Sequence, residues 1–200
     1  MDKVQPPIIL ASHNPGKLEE FRRLFTSTSV RLLLDDFGGH EIVEETGRSY
    51  RENAELKARK VAERTGHWAL ADDSGVEVDA LGGLPGIHSA RFVSNDPWEN
   101  TREILLRLLS APWSERTARM RAVLCLASPD GHVFFSEGVV EGRILTWPKG
   151  QAGFGVDPIF SIDGETSFAE WNQEYKDRVS HRGMAVQGII PVIQQVMGGW

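Results

Sequence analysis

Ile8-Ile9-Leu10-Ala11-Ser12-His13-Asn14-Pro15-Gly16-Lys17 is a short apolar run that breaks into a polar loop, and Leu18, Phe21, Leu24 and Phe25 follow it at helical spacing. The stretch predicts a strand, a polar loop and an amphipathic helix. Downstream the pattern recurs in other forms. Ser49-Tyr50-Arg51-Glu52 matches a capping box, and Ala54, Ala58, Val61 and Ala62 give a second helix its apolar stripe as far as Gly66. Trp68-Ala69-Leu70-Ala71 reads as a buried strand running into Asp72-Asp73-Ser74-Gly75. Leu81 to Ile87 is rich in glycine and proline and predicts a loop.

Asp96-Pro97-Trp98-Glu99 supplies a cap, an N1 proline and an N3 carboxylate for a helix continued by Ile104, Leu105, Leu108 and Leu109. Arg119 to Ala127 alternates as a strand, Pro129-Asp130-Gly131 turns it, and His132 to Ser136 returns as a hairpin partner. Val139 to Leu145 predicts a further strand and Pro158-Ile159-Phe160 a short one. The chain closes on a helix carrying Ala185, Ile189, Val192, Ile193 and Val196. Helices mixed with strands that include a hairpin predict an α/β or α+β fold, with a mixed β-sheet flanked by helices, and residues 1–200 as a single domain.

With 200 residues, 40% of them apolar, the chain suits a folded domain, and a formal charge of -6 disfavours a broad basic surface for a nucleic acid polymer. A small anionic ligand fits better. The single cysteine, Cys125, lies in an apolar run and reads as a buried structural thiol. No apolar stretch approaches the ~20 residues that span a bilayer, so no membrane partner is expected. Met1 to Pro7 lacks a signal-peptide pattern. The expected location is cytoplasmic.

Several polar segments follow a strand or open a helix, where free N–H groups and the positive end of the dipole favour anions. Ser12 to Lys17 is one, serving equally as an anion site or as an ordinary capped turn. It is not a Walker A loop, since Ala11 stands where that motif needs glycine and Leu18 where it needs Ser or Thr. Gly153-Phe154-Gly155-Val156-Asp157-Pro158 begins like a dinucleotide fingerprint, but Pro158 replaces the third glycine.

Asp72 and Asp73 alternate in direction, so one should be the working carboxylate and the other should turn to core partners. Mg2+ takes one or two protein carboxylates, with water and phosphates completing its shell, and Glu44, Glu45 and the aspartate pair offer that set. A zinc arrangement and a G-x-S-x-G serine elbow are both missing from the sequence. Lys176, Ser180, His181 and Arg182 form a basic cluster just before or at the start of the last helix, able to grip a base or phosphate or to stand as a solvated helix end.

Together these segments closely resemble the inosine triphosphate pyrophosphatase family, the noncanonical purine NTP pyrophosphatases. Leu70 to Arg91 carries its most specific run. Ser12 to Lys17, Glu44-Glu45-Thr46-Gly47 with Asn53 and Lys57, Gly153 to Phe160, Phe168-Ala169-Glu170 and Ser180-His181-Arg182-Gly183 match in order.

The resemblance implies two lobes around an active-site cleft, a homodimer, Mg2+ as cofactor, and hydrolysis of ITP, dITP and XTP to the monophosphate and pyrophosphate. It implies that Ser12, His13, Asn14, Pro15, Gly16 and Lys17 cradle the phosphates, with Lys57 and Lys176 adding positive charge. Asp73 would be the catalytic carboxylate that also meets the metal, Glu45 the second metal carboxylate with Glu44 its adjacent alternative, and Ser74 a substrate contact. Phe154, Gly155, Val156, Asp157, His181 and Arg182 would line the base pocket. Val156 and His88 stand where the family usually has tyrosine. The rival expectations are a pyrophosphatase reading another base and a catalytically silent nucleotide-binding protein.

Overall fold

The computed structural model describes residues 6–35 and 43–198. Of the N-terminal segment read for a targeting pattern, residues 1–5 lie outside the described residues. Six strands, β1 (Ile8–Leu10), β2 (Leu32–Leu34), β3 (Trp68–Val78), β4 (Thr117–Ala127), β5 (Val133–Ile144) and β6 (Phe160–Ser161), form a sheet in the order β2-β1-β3-β4-β5-β6. β1 runs parallel to β2 and β3, and β6 is antiparallel to β5, so the sheet is mixed as expected. The helices are α1 (Pro15–Thr26), α2 (Tyr50–Thr65), α3 (Pro97–Arg107), α4 (Gln173–Val179) and α5 (His181–Met197).

Caps fix the helix boundaries. Asn14, Ser49 and Asp96 accept from backbone N–H groups of the first turns of α1, α2 and α3, while Gly66 ends α2 at φ 67°, a left-handed conformation that suits glycine.

The chain divides into two compact units, one of residues 1–73, 122–137 and 182–200, the other of 74–121 and 138–181. Each has its own core. In the first, Phe21 and Phe25 of α1 and Ala185, Ile189 and Ile193 of α5 pack with Ile8, Leu10, Leu70, Leu124 and Leu126. The opposite side chains of the same strands, Ile9, Ala69, Ala71 and Cys125, are equally buried, as are Ala54, Ala58 and Val61 of α2. Burial on both faces explains why Trp68 to Ala71 reads as a continuous apolar run.

In the second unit, Val76, Val78, Ala118, Met120, Val140 and Ile144 meet Ile104 of α3, Leu108 at its C-terminal cap, and Phe160 and Phe168. The other face carries a charged ladder instead, with Arg121 on Glu77 at 2.9 Å and Arg119 between Asp79 and Glu141, each at 3.0 Å.

Two local expectations change, and one strand is added. β5 is one strand rather than two, since Gly138 and Gly142 do not interrupt it, and at Gly142 the absent side chain leaves room for Phe160 and Ser161 of the neighbouring strand. β3 runs through the aspartate pair to Val78 rather than ending before it. β2, at Leu32–Leu34, is a three-residue strand that sequence reasoning did not single out. Lys176 lies just before the last helix, one of the two placements expected for it, on a short helix of its own, α4, capped by Asn172.

Candidate active site

The first unit gathers most of the expected residues around the aspartate pair. Because strand residues alternate in direction, Asp72 projects to the side of β3 packed by α1 and α5, and Asp73 to the side met by α2. Asp72 Oδ2 lies 3.0 Å from Lys17 Nζ and 3.3 Å from Arg182 Nη2. Arg182 also donates through Nη1 to Glu20, and its guanidinium lies over the Phe21 ring at 5.8 Å. Burial acts to raise the Asp72 carboxyl, but Lys17, Arg182 and Lys57 together outweigh it and hold it well below the usual carboxylate range. Asp72 is therefore a fixed anion. Lys17 is pushed down by burial, against the pull of Asp72.

Asp73 has a different environment. Its Oδ2 accepts from Asn53 Nδ2 at 3.1 Å, and its Oδ1 lies 3.5 Å from Lys57 Nζ. Lys57 also donates to Glu45 at 2.6 Å, so two carboxylates converge on one ammonium. Asn53 and Lys57 are four residues apart on α2 and share a face, which is how one helix reaches both. Burial raises the Asp73 carboxyl above its ordinary value, only partly offset by Lys57 and Lys17. A buried carboxylate with a raised proton affinity is the property a general base needs. Lys57 is lowered by burial but raised further by Asp73, Asp72 and Glu45, and stays charged.

Asn53 also accepts the Gly47 N–H at 2.8 Å, tying the segment that carries Glu45 to α2. Glu45 is half-buried against Lys57, whereas Glu44 is exposed. At the mouth of α1, Asn14 accepts from Lys17 N at 3.2 Å and Ser12 from Asn14 N at 3.4 Å, while His13 and Pro15 are exposed.

The second unit holds Ser74, half-buried in β3, and the loop Gly153 to Asp157. Asp157 Oδ2 accepts both Phe154 N–H at 2.8 Å and Lys176 Nζ at 2.6 Å. Lys176 Nζ lies 5.7 Å from the centroid of Phe154 and 5.9 Å from that of Phe168, within cation–π range. Gly153 has φ 75°, and a side chain there would overlap Asp157. Thr101 of α3 donates to Gly155 O at 3.0 Å, and Val156 packs against the apolar core. His181 is buried and opens α5, while His88 is exposed.

Lys17, Lys57, Glu45, Asp72, Asp73 and Arg182 thus come together in one unit, and Phe154 to Asp157 with Lys176 in the other. Lys176 and Arg182, expected on the nucleotide, are engaged with carboxylates. Sequence reasoning did not single out Glu20, although it lies three residues after Lys17 and four before Leu24, on the buried stripe of α1. It quoted Asn53 without a role. Cys125 is buried, as expected, and its thiol is pushed up to about 12 by burial.

The donor set suits a divalent cation. Glu45 and Asp73 are hard oxygen donors already aimed at one positive charge, and Mg2+ commonly takes only one or two carboxylates. Among the described residues no group of three His, Cys, Asp or Glu side chains is placed to hold a metal.

Comparison with known proteins agrees across the chain. A dITP/XTP pyrophosphatase of Prochlorococcus marinus is 42% identical over 199 residues, covering 99% of this chain and 98% of that protein. One from Synechococcus is 44% identical, covering 95% and 91%. A HAM1 protein from Coxiella burnetii superposes with a TM-score of 0.84 at 34% identity, over 95% of this chain and 99% of that one. The Mycobacterium abscessus structure described as a nucleoside-triphosphatase and dITP/XTP pyrophosphatase gives 0.73 at 41% identity, over 92% and 99%. Residues 8–192 match the Ham1 family, and the chain belongs to that family.

Proposed function

We propose that this protein hydrolyses noncanonical purine nucleoside triphosphates, ITP, dITP and XTP, to the monophosphate and pyrophosphate, with Mg2+ as the divalent cofactor. The observation that carries the proposal is Asp73, a buried carboxylate held between Asn53 and Lys57, with Glu45 on the same lysine. The names borne by the relatives support it.

Glu45 and Asp73 would hold the metal, which would supply charge neutralisation at the phosphates. Asp73 takes the proton of a water aimed at the α-phosphorus, since Asp72 is held by Lys17 and Arg182 on the other side of β3. Lys57 stays protonated beside the two carboxylates and adds charge toward the phosphates. Ser12 to Lys17 cradle the phosphates, where the α1 N-terminus faces an anion favourably. Lys17 is kept in place by Asp72, itself fixed by Arg182. Ser74 contacts the substrate.

Phe154 stacks on the purine, with Asp157 and Lys176 fixing its loop, and Gly155, Val156 and His181 complete the base site, while Arg182, read from the sequence as part of it, is engaged by Glu20 and Asp72 instead. Donors aimed at the 6-oxygen would leave adenine, which presents an amino group there, unpaired and refused. Val156 adds no aromatic wall, so selectivity rests on Phe154 and the donors. Residues 1–200 act as a single pyrophosphatase domain in a cytoplasmic homodimer with no nucleic acid partner. Among the described residues no helix is long and apolar enough to cross a membrane.

The test is Mg2+-dependent release of pyrophosphate and orthophosphate from ITP, XTP, dITP, ATP and GTP. Pyrophosphate chiefly from the first three is expected. Orthophosphate would refute attack at the α-phosphorus, and equal turnover of all five would refute the base selectivity.

A further inference from the structure

Asn53 is buried, and its single amide group joins two functional segments. Gly47 contributes a backbone N–H, which can only donate, so the Asn53 oxygen must face it. That leaves the NH2 no choice but to face Asp73, which accepts at Oδ2. The usual ambiguity between the two ends of an asparagine amide is therefore removed by the backbone. Gly47 approaches so closely that a Cβ there would lie 2.6 Å from Asn53 Oδ1, so a side chain at 47 would break the contact.

With Oδ2 occupied by Asn53 and Oδ1 facing Lys57, both oxygens of Asp73 have assigned neighbours on α2. We propose that Asn53 is a positioning residue for the reaction: its amide sets the rotation of the Asp73 carboxylate and fixes it relative to the Glu45 segment. The proposal rests on the pyrophosphatase reading. An asparagine serves where an aspartate cannot, because the position needs an acceptor toward Gly47 and a donor toward an anion. A mere structural role would require only the acceptor.

That difference makes the two roles separable. Asn53→Asp keeps an acceptor for Gly47 and loses the donor to Asp73, while Asn53→Ala loses both and adds no charge. Turnover of ITP, the KM for ITP, the thermal midpoint and hydrogen exchange of the Gly47 amide are measured for the wild type and both variants. Loss of a hydrogen bond to a charged group predicts a fall in kcat of about ten- to a hundredfold in both variants, with KM changed about twofold or less. The Gly47 amide should stay protected in Asn53→Asp and become exchangeable in Asn53→Ala.

Normal kcat in Asn53→Asp, with a defect confined to Asn53→Ala, would overturn the proposal and leave Asn53 as a loop anchor. So would a defect in KM alone. Should Asn53→Asp fail to fold, normal kcat in Asn53→Ala overturns it equally. A wild-type protein that turns over no nucleoside triphosphate would sink the pyrophosphatase reading first, and is distinguished from these outcomes by the wild-type assay alone.

Discussion

Replacing Arg182 by methionine removes a cation that is 2% exposed and serves two carboxylates, Glu20 and Asp72, each 1% exposed. The side-chain length is kept, so the main loss is charge. Breaking a buried ion pair by removing one partner costs about 3–5 kcal/mol, because the other is left as a buried charge without compensation. Two carboxylates are affected, but Asp72 retains Lys17 at 3.0 Å, so only Glu20 is stripped. The loss should then fall within that range rather than at twice it. For a chain of this size it lowers the thermal midpoint by about 6–20 °C, at about 2–4 °C per kcal/mol.

Urea unfolding followed by circular dichroism measures the effect, and the double variant Arg182→Met with Glu20→Gln provides the control. Removing the stranded charge should recover a large part of the loss. The acid side gives a second readout. Asp72 in the folded protein lies below its ordinary value of 3.8, so its contribution is complete above that value and fades as pH falls through the lowered one. With one of its cations gone, the acid-unfolding midpoint should move to higher pH. A single variant within about 1 kcal/mol of wild type, or a double variant no more stable than the single, would show that the Arg182 pair does not carry this energy.

Asp73→Asn should fold normally and lose at least ~10²-fold in turnover, the low end for a missing general base, as read from initial rates of pyrophosphate release. Near-normal rates would remove Asp73 from the chemistry. Gly153→Ala places a side chain at φ 75° against the Asp157 carboxylate. It should destabilise the protein by about 1–3 kcal/mol and raise KM for ITP, and unchanged values of both would mean that the loop adapts freely.

The starts of two helices were legible because capping is local chemistry: Ser49 and Asp96 announce α2 and α3 within a few residues, while α1 was legible from the spacing of Leu18, Phe21, Leu24 and Phe25. The apolar run before Asp72 was legible for a related reason, since double-sided burial leaves no alternation to interpret. The length of β5 was not, because glycines that signal a break in isolation can also admit a neighbouring strand, as Gly142 does for Phe160 and Ser161. Within the site, the sequence located Asp73, Lys57 and Lys17 by type and order. It could not reveal that Lys176 would close on Asp157, or Arg182 on Glu20 and Asp72, since each pairing spans a separation that only tertiary structure closes. Glu20 escaped notice because a carboxylate on an amphipathic helix is ordinarily solvated.

The four-residue interval between Asn53 and Lys57 also constrains how this gene can change length. Each residue of an α-helix turns the chain by about 100°, so one codon inserted between them would swing Lys57 to another side of α2 and separate it from both carboxylates. The same insertion placed after Lys57 would leave Asn53 and Lys57 in register with each other and disturb only the helix beyond. Insertions and deletions in descendants of this sequence should therefore be sparse between residues 53 and 57, and should gather instead in the turns that join the elements.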